Sequence, residues 1–254
     1  MTISEVKQTG HEDRPHAPCS ASGANRWLKC PGSVGLSVGI KQKTSIYAEE
    51  GTKAHELSEQ HLNAWVNNKH VFIECDNLEM NEHVLNYITF VKNKSKEFEK
   101  PPNIKIEAKL TLNQEMSMYG TADVAMTGQL AGNSHGKIID FKYGKTPVQV
   151  RENPQLAYYA VALMLTSKQA LESVEVSIFQ PRIDDGITSI FYTREELLCW
   201  HAVLYKGAEK ALWQVIYKDD REFNKGTWCK WCSAKNICPK WNEPATEGEG
   251  LEFI

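Results

Sequence analysis

Two short segments, GTADVAM (residues 120–126) and KIIDFKYG (residues 137–144), place one aspartate at 123 and an aspartate and a lysine at 140 and 142. Both have the apolar and β-branched make-up of strands, and LAGNSHG between them is rich in turn formers. Side chains alternate faces along a strand, so Asp140 and Lys142 point the same way. A hairpin turning at about residues 130–133 sets Asp123 opposite Asp140, with Cβ atoms ~5 Å apart. Two carboxylates that close repel unless a cation lies between them, and a divalent metal with hard oxygen ligands meets that need.

The rest of the chain bounds what surrounds this hairpin. Its 254 residues suffice for one domain with a substantial core, or a domain with an appendage. A hydrophobic content of 41% with 24% charged residues is that of a soluble globular protein. The polar N-terminus lacks a signal-peptide h-region and no apolar run approaches a membrane span, so a cytoplasmic location is expected. A net charge of −3 gives no global footprint for nucleic acid, but a local groove with Lys137, Lys142, Lys145 and Arg151 would supply one.

Periodicity divides the chain into elements. Residues 1–20 read as a flexible arm. Helices are expected at about 21–29, ended by Pro31-Gly32, at 46–67, and at 82–99, where Val84, Leu85, Ile88 and Val91 recur at helical spacing. IKIEAKLTL then alternates as a strand ahead of the hairpin. PQLAYYAVALML reads as an apolar helix with Pro154 in its first turn. SVEVSIFQPRI and ITSIFYT form a strand pair turning at Asp185-Gly186, and an amphipathic helix covers about 194–217. The order implies an α/β core with a mixed sheet flanked by helices. The core is assigned to residues 21–217, a cysteine knuckle to 218–242, and an acidic loose tail to 243–254.

Further residues align with the hairpin. His55 lies in GTKAHELSEQ, Glu107 mid-strand between Lys105 and Lys109, and Gln155 and Tyr159 one helical turn apart. Singly, each reads as an ordinary surface group. In order along the chain, SASGANRWLKCP (residues 20–31), Gly51-x3-His55, Gly120-x2-Asp123, Asp140-x-Lys142 and Gln155-x3-Tyr159 resemble the PD-(D/E)xK nuclease superfamily, specifically its RecB-type exonuclease branch. That resemblance implies a restriction-endonuclease-like core and a metal-dependent DNA nuclease, an exonuclease acting on DNA ends or single strands in recombination, repair or phage DNA processing. It further implies Mg²⁺ or Mn²⁺ held by His55, Asp123, Asp140 and the backbone carbonyl of Phe141. Lys142 acts on the attacking water, Gln155 and Tyr159 position Lys142 and the DNA backbone, and Glu107 takes a second metal or a water. Lys145 and Arg151 are candidate DNA contacts. A single-strand annealing or recombination protein is a candidate partner, and an oligomer is left open. The competing reading is a catalytically inactive DNA-binding or assembly subunit that keeps the fold.

Seven cysteines in a cytosolic setting argue against a disulfide framework. Cys229-x2-Cys232-x5-Cys238 has metal-ligand spacing but supplies three thiolates, and Cys19, Cys30, Cys75, Cys199 and His201 are candidates for the fourth. In the iron–sulfur nucleases that this chain resembles, a lone N-terminal cysteine joins three beyond the core. That implies a structural [4Fe–4S] cluster on Cys30, Cys229, Cys232 and Cys238, with zinc as the alternative. Cys75 and Cys199 are expected as ordinary thiols, Cys199 buried on its helix.

Overall fold

The computed structural model describes residues 17–40, 46–69, 73 and 75–243. The expected arm (apart from residues 17–20) and the expected tail beyond residue 243 lie outside the described residues. The described chain divides into two compact units, one drawn from Met1–Lys43, Asn113–Tyr119 and Ala202–Ile254, the other from Thr44–Leu112 and Gly120–His201.

The second unit holds a sheet of five strands in the order β1-β2-β3-β4-β5. These are β1 (Asn103–Asn113), β2 (Met118–Leu130), β3 (Asn133–Phe141), β4 (Ser173–Phe179) and β5 (Ile187–Thr193). β2 and β3 run antiparallel, β3 and β4 parallel, β4 and β5 antiparallel, so the sheet is mixed, as the sequence order implies. The hairpin turns on Ala131 and Gly132 with φ of 51° and 80°, and two positive values are what a two-residue turn matched to strand twist needs.

Each sheet face is dictated by residue parity. Val124 and Met126 of β2, Ile139 and Phe141 of β3 and Phe179 of β4 pack with Leu57 and Leu62 of α3 (Ile46–Val66) and with Val84, Tyr87 and Val91 of α4 (Leu78–Lys96). Helix α4 starts four residues earlier than its apolar spacing suggests, because the Asn77 side chain accepts from the Met80 amide and caps it. The crossover between the parallel strands β3 and β4 is α5 (Pro154–Thr166), buried along most of its length. A Cβ on Gly136 would meet Leu163 of α5 at 3.0 Å, which explains a glycine in mid-strand there.

Lys137 corrects one expectation. It is 1% exposed and unavailable to a groove, because odd residues of β3 face α4. Its ammonium is paired with Glu97 of the α4 C-cap and lies 3.2 Å from Glu175 of β4, while Lys94 reaches the same Glu175 at 2.5 Å. Two cations and two carboxylates thus balance, which makes the burial of Lys137 and Glu175 tolerable.

The first unit carries α1 (Ala24–Lys29), α2 (Gly32–Leu36) and most of α6 (Arg194–Ile216). Pro31-Gly32 ends α1 as expected but also starts α2. The Gly32 amide donates to the Glu222 carbonyl at 3.0 Å, and a Cβ there would stand 2.8 Å from that oxygen. Short 3₁₀ turns at Thr227–Trp231 and Lys235–Ile237, then α7 (Pro239–Asn242), complete the knuckle. Cys199 is exposed rather than buried, because α6 turns Leu197, Leu204 and Ala208 inward instead.

The charge cluster sets a pH dependence. Burial raises the Glu97 pKa, but the hydrogen bond and charge of Lys137, with Lys94 behind, outweigh it and hold the carboxyl below its ordinary value. A depressed carboxyl contributes stability above its unfolded pKa and loses it as pH falls through the folded one. Glu97→Gln should therefore lower stability at neutral pH by about 1 kcal/mol or more, since Glu97 is partly exposed but its loss leaves the buried Lys137 to share Glu175 with Lys94. Urea midpoints of variant and parent should converge below the ordinary carboxylate range.

Candidate active site

The paired register of β2 and β3 ends at Val124↔Ile139. One step further Asp123 and Asp140 would pair, but the strands part. The Phe141 amide, instead of continuing the ladder, donates to Asp123 Oδ2 at 2.6 Å. The β3–β4 ladder carries on beside it, with the Lys142 amide donating to the Phe179 carbonyl at 2.9 Å. Asp123 is thus held by backbone, and its other oxygen lies 3.2 Å from His55 Nδ1 on α3. The His55 ring tilts against Phe141, centroids 5.3 Å apart.

Asp140 turns toward Lys142, whose Nζ lies 2.8 Å from Asp140 Oδ2. That close ion pair joins the ammonium to a buried carboxylate oxygen. Lys142 Nζ also donates to Gln155 Oε1 at 3.3 Å, and Gln155 Nε2 to the Tyr159 hydroxyl at 3.4 Å. Gln155 stands at the α5 N-terminus because Asn153 caps it, accepting from the Gln155 and Leu156 amides at 3.0 and 3.3 Å, with Pro154 at the first position.

Glu107 enters from β1 with φ of 47°, an unfavourable value for a residue with a Cβ. Such strain persists where surroundings hold it, and it gathers at sites that bind or react. His55, Glu107 and Asp123 each offer a ligand atom, all within 4.8 Å of one another. One imidazole nitrogen with hard carboxylate oxygens could hold a divalent ion, and the buried Asp140 carboxylate is a further acceptor whose charge acts on Asp123 and His55. The group of three keeps His55 and Asp123 of the set implied by sequence, brings Glu107 beside them rather than to a second position, and does not include Asp140.

The electrostatics follow from crowding. Burial raises the Asp140 pKa and the neighbouring Asp123 charge adds to this; together they outweigh Lys142, so it sits above the ordinary value. For Asp123 burial acts the same way, but His55 and then Lys142 overcome it and hold the carboxyl down. Burial would lower His55 and Lys142, yet the facing aspartates keep both above their usual values. Two adjacent carboxylates whose values are pushed apart, each facing a cation, form a centre that favours positive charge.

Lys145 and Arg151 are exposed in the loop that joins β3 to α5. Gln180 holds that loop. It donates to the Gly144 and Thr146 carbonyls at 2.7 and 2.8 Å and accepts from the Val148 amide at 3.1 Å. Sequence reasoning passed over Gln180, and also Tyr87 of α4. The Tyr87 ring stacks on Phe141 with centroids 4.5 Å apart and planes 9° from parallel. Its hydroxyl is buried with no hydrogen-bond partner. Burial, then the charges of Asp123, Asp140 and Glu107, hold its phenol well above the ordinary value. The helical spacing of Val84, Tyr87 and Val91 marked a core face, and nothing in the pattern tells an inward phenol from an inward phenylalanine.

In the other unit, Cys30, Cys229, Cys232 and Cys238 line one small cavity with Trp228 and Trp241. Cys30 sits at the α1 C-cap, where the Asn224 amide points at its sulfur at 3.5 Å. Cys19 is not among the lining residues and is fully buried, which pushes its thiol up to about 12 although Arg26 pulls the other way.

The chain belongs to the family described as Protein of unknown function (DUF2800), whose family model matches residues 16–253. Among solved structures it is similar to SSO0001, at 16% identity over 85% of this chain and 96% of that one, with a TM-score of 0.36. It is similar to a protein of Eubacterium rectale whose name carries a provisional exonuclease assignment, at 12% identity over 87% and 96%, with a TM-score of 0.44. The alkaline exonuclease LHK-Exo of Laribacter hongkongensis matches at 10% identity over 85% and 88%, with a TM-score of 0.38. Likeness at this level says nothing of which bond this chain would act on.

Removing the unbonded Tyr87 hydroxyl tests its place in the fold. Tyr87→Phe should melt at the same temperature as the parent or higher, since an unsatisfied buried hydroxyl costs about 1–3 kcal/mol. A fall of several degrees would mean that the hydroxyl is bonded.

Proposed function

We propose that this member of the DUF2800 family is a divalent-metal-dependent DNA nuclease of the RecB type, working as an exonuclease in recombination, repair or phage DNA processing inside the cell. One observation carries the reading. Asp140, Lys142, Gln155 and Tyr159 form a continuous relay beside a His55–Glu107–Asp123 group that fits a hard cation. No ordinary surface role explains so many charged and polar groups drawn together at the parting of two strands.

His55, Asp123, Asp140, the Phe141 carbonyl and Glu107 are the groups that would hold Mg²⁺ or Mn²⁺. A bound divalent ion lowers the pKa of a coordinated water and offsets phosphate charge. Asp123 is fixed for this by the Phe141 amide, and its alignment with His55 is set before any ligand arrives. Lys142, steadied by Gln155 and by the Asp140 carboxylate, orients the attacking water and faces the charge that develops on the phosphate. Tyr159 holds Gln155 in place, and the buried Tyr87 phenol lies within electrostatic reach of Asp123, Asp140 and Glu107. Lys145 and Arg151, exposed on the loop that Gln180 anchors, are placed to meet the DNA backbone.

Purified protein with Mg²⁺ or Mn²⁺ should degrade end-labelled linear DNA and spare circular DNA. Asp140→Ala and Lys142→Ala should each lose about 10²-fold or more in rate while circular dichroism stays unchanged. Full activity in the Lys142→Ala protein would sink the mechanism, and cleavage of circles would replace exonuclease by endonuclease.

The four-cysteine cavity supports a [4Fe–4S] cluster on Cys30, Cys229, Cys232 and Cys238 that ties the first helix to the knuckle. Thiolate-rich sites suit zinc as well. Anaerobically purified protein should hold about four iron and four sulfide per chain with broad visible absorbance, and Cys30→Ser should lower both. Stoichiometric zinc without iron would assign the cavity to zinc instead.

A further inference from the structure

Lys230, Trp231 and Ile237 of the knuckle stand outside the lining of the cysteine cavity, whereas Lys225, Lys235, Lys240 and Trp241 belong to it. From Phe223 to Asn242 the chain has four lysines, Lys225, Lys230, Lys235 and Lys240, and no acidic residue, in a protein whose net charge is −3. Tryptophans are interleaved with them. Lys230 Nζ stands 5.1 Å over the Trp231 ring and Lys235 Nζ 4.2 Å over Trp241. Trp231 is 69% exposed and Ile237 beside the second turn is 58% exposed. An exposed tryptophan is an unusual expense of apolar surface, and it marks a place where something docks.

Not every lysine is equally available. Lys240 pairs with Glu243 at 2.6 Å, and Lys225 donates to the Glu243 carbonyl at 3.4 Å. Lys230 and Lys235 meet aromatic faces instead of carboxylates in the contacts described, so their charge is not cancelled locally. Trp231 lies between Cys229 and Cys232 on a single 3₁₀ turn, where the Cys232 amide bonds the Cys229 carbonyl at 3.2 Å.

We propose that this stretch of the knuckle, Trp231 with the neighbouring Lys230 and Lys235, is a docking surface for a single-stranded polynucleotide. Bases of a single strand expose π-faces that stack on tryptophan whatever the sequence, and phosphates between them meet the lysines. A duplex hides its base faces and would use only the charge. The surface lies apart in sequence from Lys145 and Arg151 and assigns a role to residues that the proposed nuclease centre leaves idle. It rests on the nuclease reading only for the identity of the strand as DNA.

The test uses full-length protein without divalent metal, so that nothing is cut. Binding of fluorescent oligo-dT, oligo-rU and a duplex of equal length is followed by anisotropy and by quenching of tryptophan fluorescence over a range of salt. Wild-type protein should bind the single strands more tightly than the duplex, with quenching. Trp231→Ala should weaken single-strand binding about 5-fold or more, whereas Trp231→Phe, which keeps a ring, should retain most of it. Lys230→Gln with Lys235→Gln should reduce the salt slope by roughly 1.4. Melting curves and metal content of each variant check that the knuckle is intact. Unchanged affinity and salt slope in the intact variants, or no single-strand binding by wild-type protein, would overturn the proposal. DNA degradation with knuckle variants indifferent would sink this surface and leave the nuclease reading standing. Knuckle-dependent binding without any degradation would do the reverse.

Discussion

The site depends on one displaced hydrogen bond. Where β2 and β3 part after Val124↔Ile139, the Phe141 amide leaves the ladder and is taken by the Asp123 carboxylate. A buried amide must find a partner, so the bond holds an acidic side chain at a strand end without any help from solvent. It also frees the strand ends to spread. Asp140 then faces Lys142 rather than Asp123 directly, and His55 can approach Asp123 from α3. Had the ladder run one residue further, Asp123 would pair with Asp140 as the sequence register implies, and the strand ends would not part.

The two faces of the sheet solve different problems around that point. On one, α4 supplies apolar rings and, near its C-terminal end, the lysine and glutamate that balance Lys137 and Glu175. Tyr87 stacked on Phe141 brings a polar atom of this face toward the carboxylates. On the other, α5 is the crossover between parallel strands, and such a helix begins beside the end of the strand it leaves. Its capped first turn therefore brings Gln155 to Lys142 without a long loop. The relay is a consequence of topology as much as of residue choice.

Particular residues show where sequence reading reached and where it stopped. The order of strands and helices and the hairpin turn were legible because periodicity and turn chemistry act locally, whereas the grouping of His55, Asp123, Asp140, Lys142, Gln155 and Tyr159 followed only from the family resemblance. The α4 start was missed because Asn77 acts through its side chain, outside the apolar spacing. Lys137 was misjudged because a lone lysine in a strand reads as solvated unless its partners, Glu97 and Glu175, distant in sequence, are known to converge. Cys199 was taken for a buried thiol because its helix is apolar on more than one side, and only packing selects the inner one. Glu107 was placed at the site only by the resemblance, as a ligand for a second metal or a water, and no pattern announces that its backbone adopts a positive φ.

The sequence by itself determined the elements, their order and the chemical kind of the site, since hydrophobic period, caps and turns are settled among near neighbours. Tertiary structure decided which oxygen faces which cation, that Glu107 joins His55 and Asp123, that Tyr87 keeps an unbonded hydroxyl inside, and that Cys30 lines one cavity with Cys229, Cys232 and Cys238 from far along the chain. Those outcomes depend on how strand ends diverge and how helices settle, which sums many weak contacts over long separations. No local rule carries that sum.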